Sequence, residues 1–229
     1  MTDEAVTREI RELMEARSAF YRMLAALYFQ PLSQQQLEAM DLDGAAGALE
    51  GVPGVGEGLG LMAAGLGRRH TGTRRELAVD FTTSFGGVGV LDEQTALPCK
   101  SVFVGEDGLL FGDECFKVFE AYKASRVRMA DGADMPDDHL SFMLEFMALL
   151  SDRASAALAA GDGPSARAEL EASRGFLAEH IASWFPLLAA RAGHMVQTDF
   201  YRGVLQATQG FLDWDDGALS EAAALLAGE

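Results

Sequence analysis

The stretch MPDDHLSFMLEFM, residues 135–147, sets two aspartates and a histidine directly against a run of large apolar side chains. On a helix, a metal site needs its ligands three or four positions apart. From His139 those positions are Phe142 and Met143, and from Asp138 they are Ser141 and Phe142, so no second strong ligand is supplied. Hydrolysis fares no better. Asp138 and His139 are sequence neighbours that point to different sides of a helix, and no nucleophile-elbow motif announces a serine. A structural reading remains. Pro136 suits a first helical turn, and Asp137 and Asp138 then sit where the helix dipole favours negative charge. That accounts for the acids and leaves a histidine at the junction of loop and core unexplained.

The other reactive side chains are scattered. Cys99 and Cys115 lack a CxxC spacing and are too few for a disulfide framework or a four-cysteine zinc site, so two reduced thiols are expected. His70, His180 and His194 are isolated. The glycines of GGVGV follow a helical pattern, not a strand, and no GxxxxGK[ST] is present. The aromatics at 116, 119 and 122 read as core.

Composition narrows the function classes. Of 229 residues, 49% are hydrophobic, which marks a globular chain, and the formal net charge is −17. Such a charge repels nucleic acid and anionic membranes and attracts basic segments. The first residues, MTDEAVTREIRELMEARS, contain no apolar stretch of the secretory type, and nothing approaches the roughly 18 apolar residues of a membrane span. A cytoplasmic protein without stable membrane insertion is expected.

The elements that must position residues 135–147 are helices. Ile10, Leu13, Met14, Phe20, Leu24, Leu27 and Tyr28 recur at threes and fours, and Pro31 ends that pattern. Ser33 with Gln36 forms a capping box. The glycines of residues 44–67 argue against a long helix there. TRRELAVDFTTSF is helical again. Residues 86–112 break the period and read as a long ordered loop, with short extended pieces at SVFV and LLF. Asp113 is placed to cap the next helix, and Pro136 to begin a third strong one. Pro186 should divide the following helix near Trp184, and Thr198 should cap the one after. The expectation is a single all-α domain, residues 1–229, of about eight to ten helices.

Three of these segments occur in an order that resembles the TorD/DmsD/NarJ-type family of redox-enzyme maturation chaperones. They are the acidic-aromatic helix end DFTTSF, the loop LPCKSVFVGEDGLLFGDE, and PDDH before an apolar helix. The resemblance is dense between about 74 and 155. It departs from the family at Ser84, where a leucine is usual, and at Asp134, which stands for a glutamate and lies two positions before Pro136.

The resemblance implies a cytoplasmic chaperone, not an enzyme. It would bind the twin-arginine signal peptide and the body of a molybdopterin oxidoreductase of the dimethyl-sulfoxide-reductase type, assist cofactor insertion and delay export, as a monomer or homodimer. No cofactor of its own is expected. Guanine-nucleotide binding has been attributed to family members, and no motif supports it here. A leader with a basic end and an apolar stretch requires an acidic rim beside an apolar groove. The implied peptide-binding residues are Phe85, Pro98, Ser101, Phe103, Gly112, Asp134, Pro136, Asp138, His139 and Phe142. Asp138 would pair with a basic group or order the loop, and His139 would touch peptide or pin residues 97–112. Two alternatives stand beside this: a helical hydrolase using Asp138 and His139, and a generic helical scaffold.

Overall fold

The computed structural model describes residues 3–49, 51–68, 70–87, 96–105, 108–129 and 135–227. Among them the chain is all-α. The helices are α1 Asp3–Phe29, α2 Gln34–Ala39, α3 Leu42–Ala48, α4 Val55–Gly67, α5 Thr73–Phe85, α6 Lys100–Val104, α7 Asp113–Ala124, α8 Leu140–Ala159, α9 Gly163–Phe176, α10 Phe185–Gly193 and α11 Asp199–Ala227. A π-helical turn, Leu177–Ala182, follows α9. Nine of the helices have seven residues or more, in line with the eight to ten expected. No strand is formed among the described residues, only an isolated antiparallel bridge between Cys99 and His139.

The apolar stripe of α1 is buried, with Met14, Tyr21, Leu24 and Tyr28 at its centre, and it lies along α8. A charged residue interrupts the stripe. Arg17 is 0% exposed and forms a fork to Asp215 of α11, with Nε to Oδ1 at 2.5 Å and Nη2 to Oδ2 at 2.8 Å. Its Nη1 donates to Ser151 of α8 at 2.9 Å, and Tyr21 donates to the same Asp215 carboxylate at 2.5 Å. Both carboxylate oxygens and all three guanidinium nitrogens therefore have partners, the condition under which a buried ion pair is tolerated. This cluster sets α1, α8 and α11 in one arrangement.

The glycine-rich segment behaves differently from expectation. It forms α3 and a 13-residue α4, and α4 packs on α11 more closely than side chains would allow. A Cβ on Gly58 would stand 2.5 Å from the backbone nitrogen of Ala207, and one on Gly203 would stand 2.3 Å from the carbonyl oxygen of Gly58. Glycine lowers helix propensity, and here backbone-to-backbone packing compensates for it.

Several local expectations hold. Ser33 and Gln36 form the reciprocal capping box. The helix preceding Pro186 gives way to the π turn, and α10 begins afresh with that proline in its first turn. Thr198 accepts from the N–H of Tyr201 at 3.3 Å at the start of α11.

Others are corrected. SVFV is not extended but lies in helix α6. Gly112, not Asp113, is the cap residue of α7, and Asp113 lies in the first turn of the helix. Helix α8 starts at Leu140 with His139 as its cap, four residues later than Pro136 suggested, because the segment 136–139 closes a turn from the His139 N–H to the Pro136 carbonyl. Phe116 and Phe119 are not core: they are 62% and 40% exposed, while Tyr122 is buried. Within the loop expected at 86–112, residues 88–95 and 106–107 lie outside the described residues.

Candidate functional site

The turn before α8 and the short helix α6 meet in a clasp of backbone and side-chain bonds. The Leu140 N–H donates to the Pro98 carbonyl at 2.7 Å, and the Lys100 N–H donates to the Asp138 carbonyl at 3.1 Å. These two bonds flank the Cys99–His139 bridge. The Asp138 side chain then reaches past its own helix, and Oδ2 accepts the N–H of Ser101 at 2.6 Å. That N–H belongs to the first turn of α6, where no intrahelical partner exists. Asp138 thus caps a helix 37 positions away in sequence.

His139 is 2% exposed, and its Nδ1 accepts the N–H of Ser141 at 3.3 Å. Burial lowers its pKa to about 4, so the ring is neutral and serves as a cap. The Tyr122 hydroxyl donates to the carbonyl of Asp137 at 3.0 Å, joining α7 to the same turn. Cys99 and Cys115 are both buried free thiols, and burial raises the pKa of each. Among the described residues, no group of three or more His, Cys, Asp or Glu side chains could hold a metal ion.

Two polar atoms in the clasp, Asp138 Oδ1 and Ser101 Oγ, are buried without a hydrogen-bond partner in the structure. Both residues are 0% exposed. The Asp138 carboxylate is therefore not on a rim, as a leader-binding role had suggested. The accessible acids nearby are Asp137, which is half-buried, and Glu145, which is exposed and one turn beyond Phe142. Burial raises the pKa of both, and the neighbouring Asp138 adds to the effect at Asp137. Phe142 is half-buried, its ring centre 6.0 Å from that of Phe29 and 5.8 Å from that of His139. Phe29 is 38% exposed. An apolar surface with carboxylates beside it thus exists, shifted outward from Asp138.

The residues implied by resemblance divide accordingly. Pro98, Ser101, Pro136, Asp138 and His139 come together in the clasp, with Phe142 at its edge. Phe85 does not join them. It is 2% exposed among Tyr28, Phe81 and Tyr201, because its helix face turns into the bundle. Phe103 lies against Trp184 at 5.4 Å, with the Arg191 guanidinium 4.6 Å above its ring. Gly112 is exposed at the start of α7. Asp134 lies outside the described residues.

Sequence reasoning missed two groups. Lys100 is 4% exposed, and its ammonium pairs with Glu114 at 2.7 Å, donates to the Glu179 carbonyl at 3.1 Å and lies 3.4 Å from His180 Nδ1. Burial alone would raise the Glu114 pKa, and the bonds from Lys100 and Lys117 more than offset it. Burial, then Lys100, lowers that of His180. A lone lysine among apolar residues was the available signal. The second group is Asp80 of DFTTSF, 5% exposed, which accepts from Gln197 N, Thr198 N and Thr198 Oγ1 at 3.0, 2.8 and 2.6 Å. Asp80 and Asp138 do the same work: each carboxylate binds backbone N–H groups of a distant segment.

The family described as "Nitrate reductase delta subunit" matches residues 51–190, which include both aspartates and the whole clasp. Similar proteins extend the match to nearly the full chain. A "Chaperone protein TorD" of Vibrio cholerae serotype O1 is 26% identical over 221 residues, covering 93% of this chain and 96% of that protein. One from Vibrio vulnificus (strain YJ016) is 26% identical, covering 93% and 98%. One from Psychrobacter sp. (strain PRwf-1) is 26% identical, covering 91% and 93%. With the matched segment spanning more than half of its length, the chain belongs to the nitrate reductase delta subunit family and is a homologue of the TorD chaperones.

Proposed function

We propose that this protein is a cytoplasmic, system-specific chaperone for a molybdopterin oxidoreductase of the dimethyl-sulfoxide-reductase type. It binds the twin-arginine leader and the apo-form of that enzyme, assists cofactor insertion and delays export. The observation that carries the reading is the near full-length likeness to proteins named TorD chaperones. The geometry supports binding over covalent chemistry: Asp138 and His139, the side chains best suited to catalysis, are buried and committed to capping two helices. Leader recognition then falls to the surface beside them. Phe29 and Phe142 offer apolar contact, and Asp137 and Glu145 offer carboxylates to a basic end.

Isothermal titration of the protein with a synthetic twin-arginine leader tests this. The expected result is saturable binding that weakens with salt, and about tenfold weaker binding by the double variant Asp137→Asn/Glu145→Gln. Because Asp137 is half-buried and Glu145 lies beside Arg22, urea unfolding of the double variant is run alongside, and only weaker binding at an unchanged midpoint counts as loss of recognition. Absence of binding to several leaders of this type would overturn the reading. Binding that is indifferent to the double variant would move the site elsewhere on the surface.

A further inference from the structure

An apolar trough runs between α1 and α11. Buried Ile10, Ala218 and Ala222 and the more exposed Leu13, Trp214 and Leu225 line a cavity there of about 500 Å³. A Cβ on Gly217 would meet nothing within 4 Å, so the trough is open on that side. Leu225 also lines a second cavity, of about 350 Å³, which Val6 and Leu158 border and which reaches Ala227. From position 214 to 227 the opening therefore follows roughly 20 Å of helix. Ile10 and Phe29 lie 19 positions apart on α1, roughly 28 Å, so the trough is separate from the leader surface.

The charge on the trough has one sign. Glu9 of α1 and Glu221 of α11 line the first cavity, both exposed, and no cation lines either cavity. The walls as a whole, residues 3–13 and 213–227, hold eight carboxylates against two cations, Arg8 and Arg11. Arg8 is paired with Glu12 at 3.9 Å and Arg11 with Glu15 at 3.5 Å. Asp215 and Asp216 are held by Arg17 and Arg174. The turn bordering the second cavity adds Asp162, which caps α9, and no cation. Glu9 and Glu221 make no hydrogen bond or ion pair with another described residue. Sequence accounts for this: no lysine or arginine stands three or four positions from either. Trp214 is half-buried beside them, and its indole N–H has no partner among the described residues. The face of an indole ring attracts cations, and half-exposed tryptophan is a frequent anchor of protein contacts.

We propose that the trough between α1 and α11 docks a basic amphipathic helix of a partner protein. Its apolar side chains enter the trough, and its lysine or arginine side chains meet Glu9, Glu221 and the Trp214 ring. An opening of this length takes between three and four helical turns, and two helices with an open seam between them seat a third. A second copy of this chain is a poor occupant, because a net charge of −17 sets acid against acid, and nucleic acid and anionic membranes are repelled for the same reason. The contact does not rest on the leader reading, since it uses other residues at the other end of α1.

The test uses the full-length protein and two labelled, tryptophan-free model helices of identical leucine spacing, one with lysine and one with glutamate at the polar positions. Fluorescence anisotropy should show binding of the lysine helix only, with a change in protein emission that comes from Trp214, since Trp184 is fully buried. The double variant Glu9→Gln/Glu221→Gln should bind at least tenfold more weakly at an unchanged unfolding midpoint. It removes two charges from a net −17, too few to weaken non-specific attraction that far. Gly217→Leu should fill the trough and weaken binding as much without lowering the midpoint, because the position is open and leucine is the better helix former. Asp137→Asn/Glu145→Gln should bind the lysine helix as wild type does, which separates failure of the leader reading from failure of this one. Equal binding of the two helices, lysine-helix binding that survives both trough variants, or its loss in Asp137→Asn/Glu145→Gln would overturn the proposal. So would a wild-type dimer in sedimentation that Gly217→Leu abolishes, which would make the trough a self-interface.

Discussion

Asp138 Oδ2 and the backbone N–H of Ser101 are 2.6 Å apart across 37 positions of sequence, and this bond fastens α6 to the turn that launches α8. A buried carboxylate accepting a backbone N–H is a charge-assisted bond, stronger than a neutral one. Asp138→Ala should destabilise the protein by about 2 kcal/mol, because it strands the Ser101 N–H. Asp138→Asn, whose amide oxygen can still accept, should cost less. Urea unfolding measures both, and an unchanged midpoint for the alanine variant would show that the clasp holds without this bond.

His139 makes stability depend on pH in a defined direction. Its folded pKa, about 4, lies below the ordinary 6.5, so the unfolded chain binds more protons between those values. The contribution is complete above about pH 6.5 and is lost as pH falls towards 4, on the order of 3 kcal/mol in all. Asp137 works in the opposite sense, its raised pKa favouring the fold in acid, and confines that effect to the carboxylate range. Unfolding free energies between pH 4 and 7 should therefore fall with acid in wild type and fall less in His139→Gln. Parallel curves for the two proteins would exclude His139 as the source.

Glycines in α4 should divide sharply on substitution. Gly58→Ala drives a methyl against the Ala207 backbone, which cannot move aside as a side chain could, and should cost about 3 kcal/mol. Gly60→Ala meets nothing within 4 Å and should stabilise by about 0.5–1 kcal/mol through helix propensity. Thermal melts of the two variants should shift in opposite directions. A shift of the same sign in both would contradict the packing of α4 on α11.

Removing one partner of the buried pair should be worse than removing both. Asp215→Ala leaves the Arg17 guanidinium unpaired at 0% exposure and should cost about 3–5 kcal/mol. The double variant Arg17→Met/Asp215→Leu should be less destabilised than that single change. Equilibrium unfolding of wild type and the two variants makes the comparison, and a double variant less stable than Asp215→Ala would mean that the pair is not acting as a unit.

The parts of this fold that could be read from sequence are those governed by near neighbours. Ser33 and Gln36 are three positions apart, Pro186 acts on its own helix, and the stripe of α1 repeats within each turn. What escaped reading depends on distant partners. Local rules offer Asp138 only the cap of its own helix, and the family resemblance alone offers it a basic group or the loop to order. The N–H groups it and Asp80 satisfy lie 37 and 117–118 positions away. Glycines in α4 lower propensity locally, and their compensation resides in α11. The exposure of Phe116 and Phe119 was hidden because aromatic spacing looks the same on a buried face and on an exposed one. The site was legible as a place, since Pro98, Ser101, Pro136, Asp138 and His139 do meet. Its chemistry was legible only in part, because burial turns the rim charge expected at Asp138 into an internal fastening.

The Arg17–Asp215 pair also has a consequence in time. The two residues are 198 positions apart, so the guanidinium meets its carboxylate only after the whole stretch between them has been synthesised. Until then α1 can settle on α8 but must leave a positive charge unanswered at the centre of their contact. The bundle is thus sealed by α11, and a ribosome that stops before residue 215 releases a product in which α1 has no complete seat.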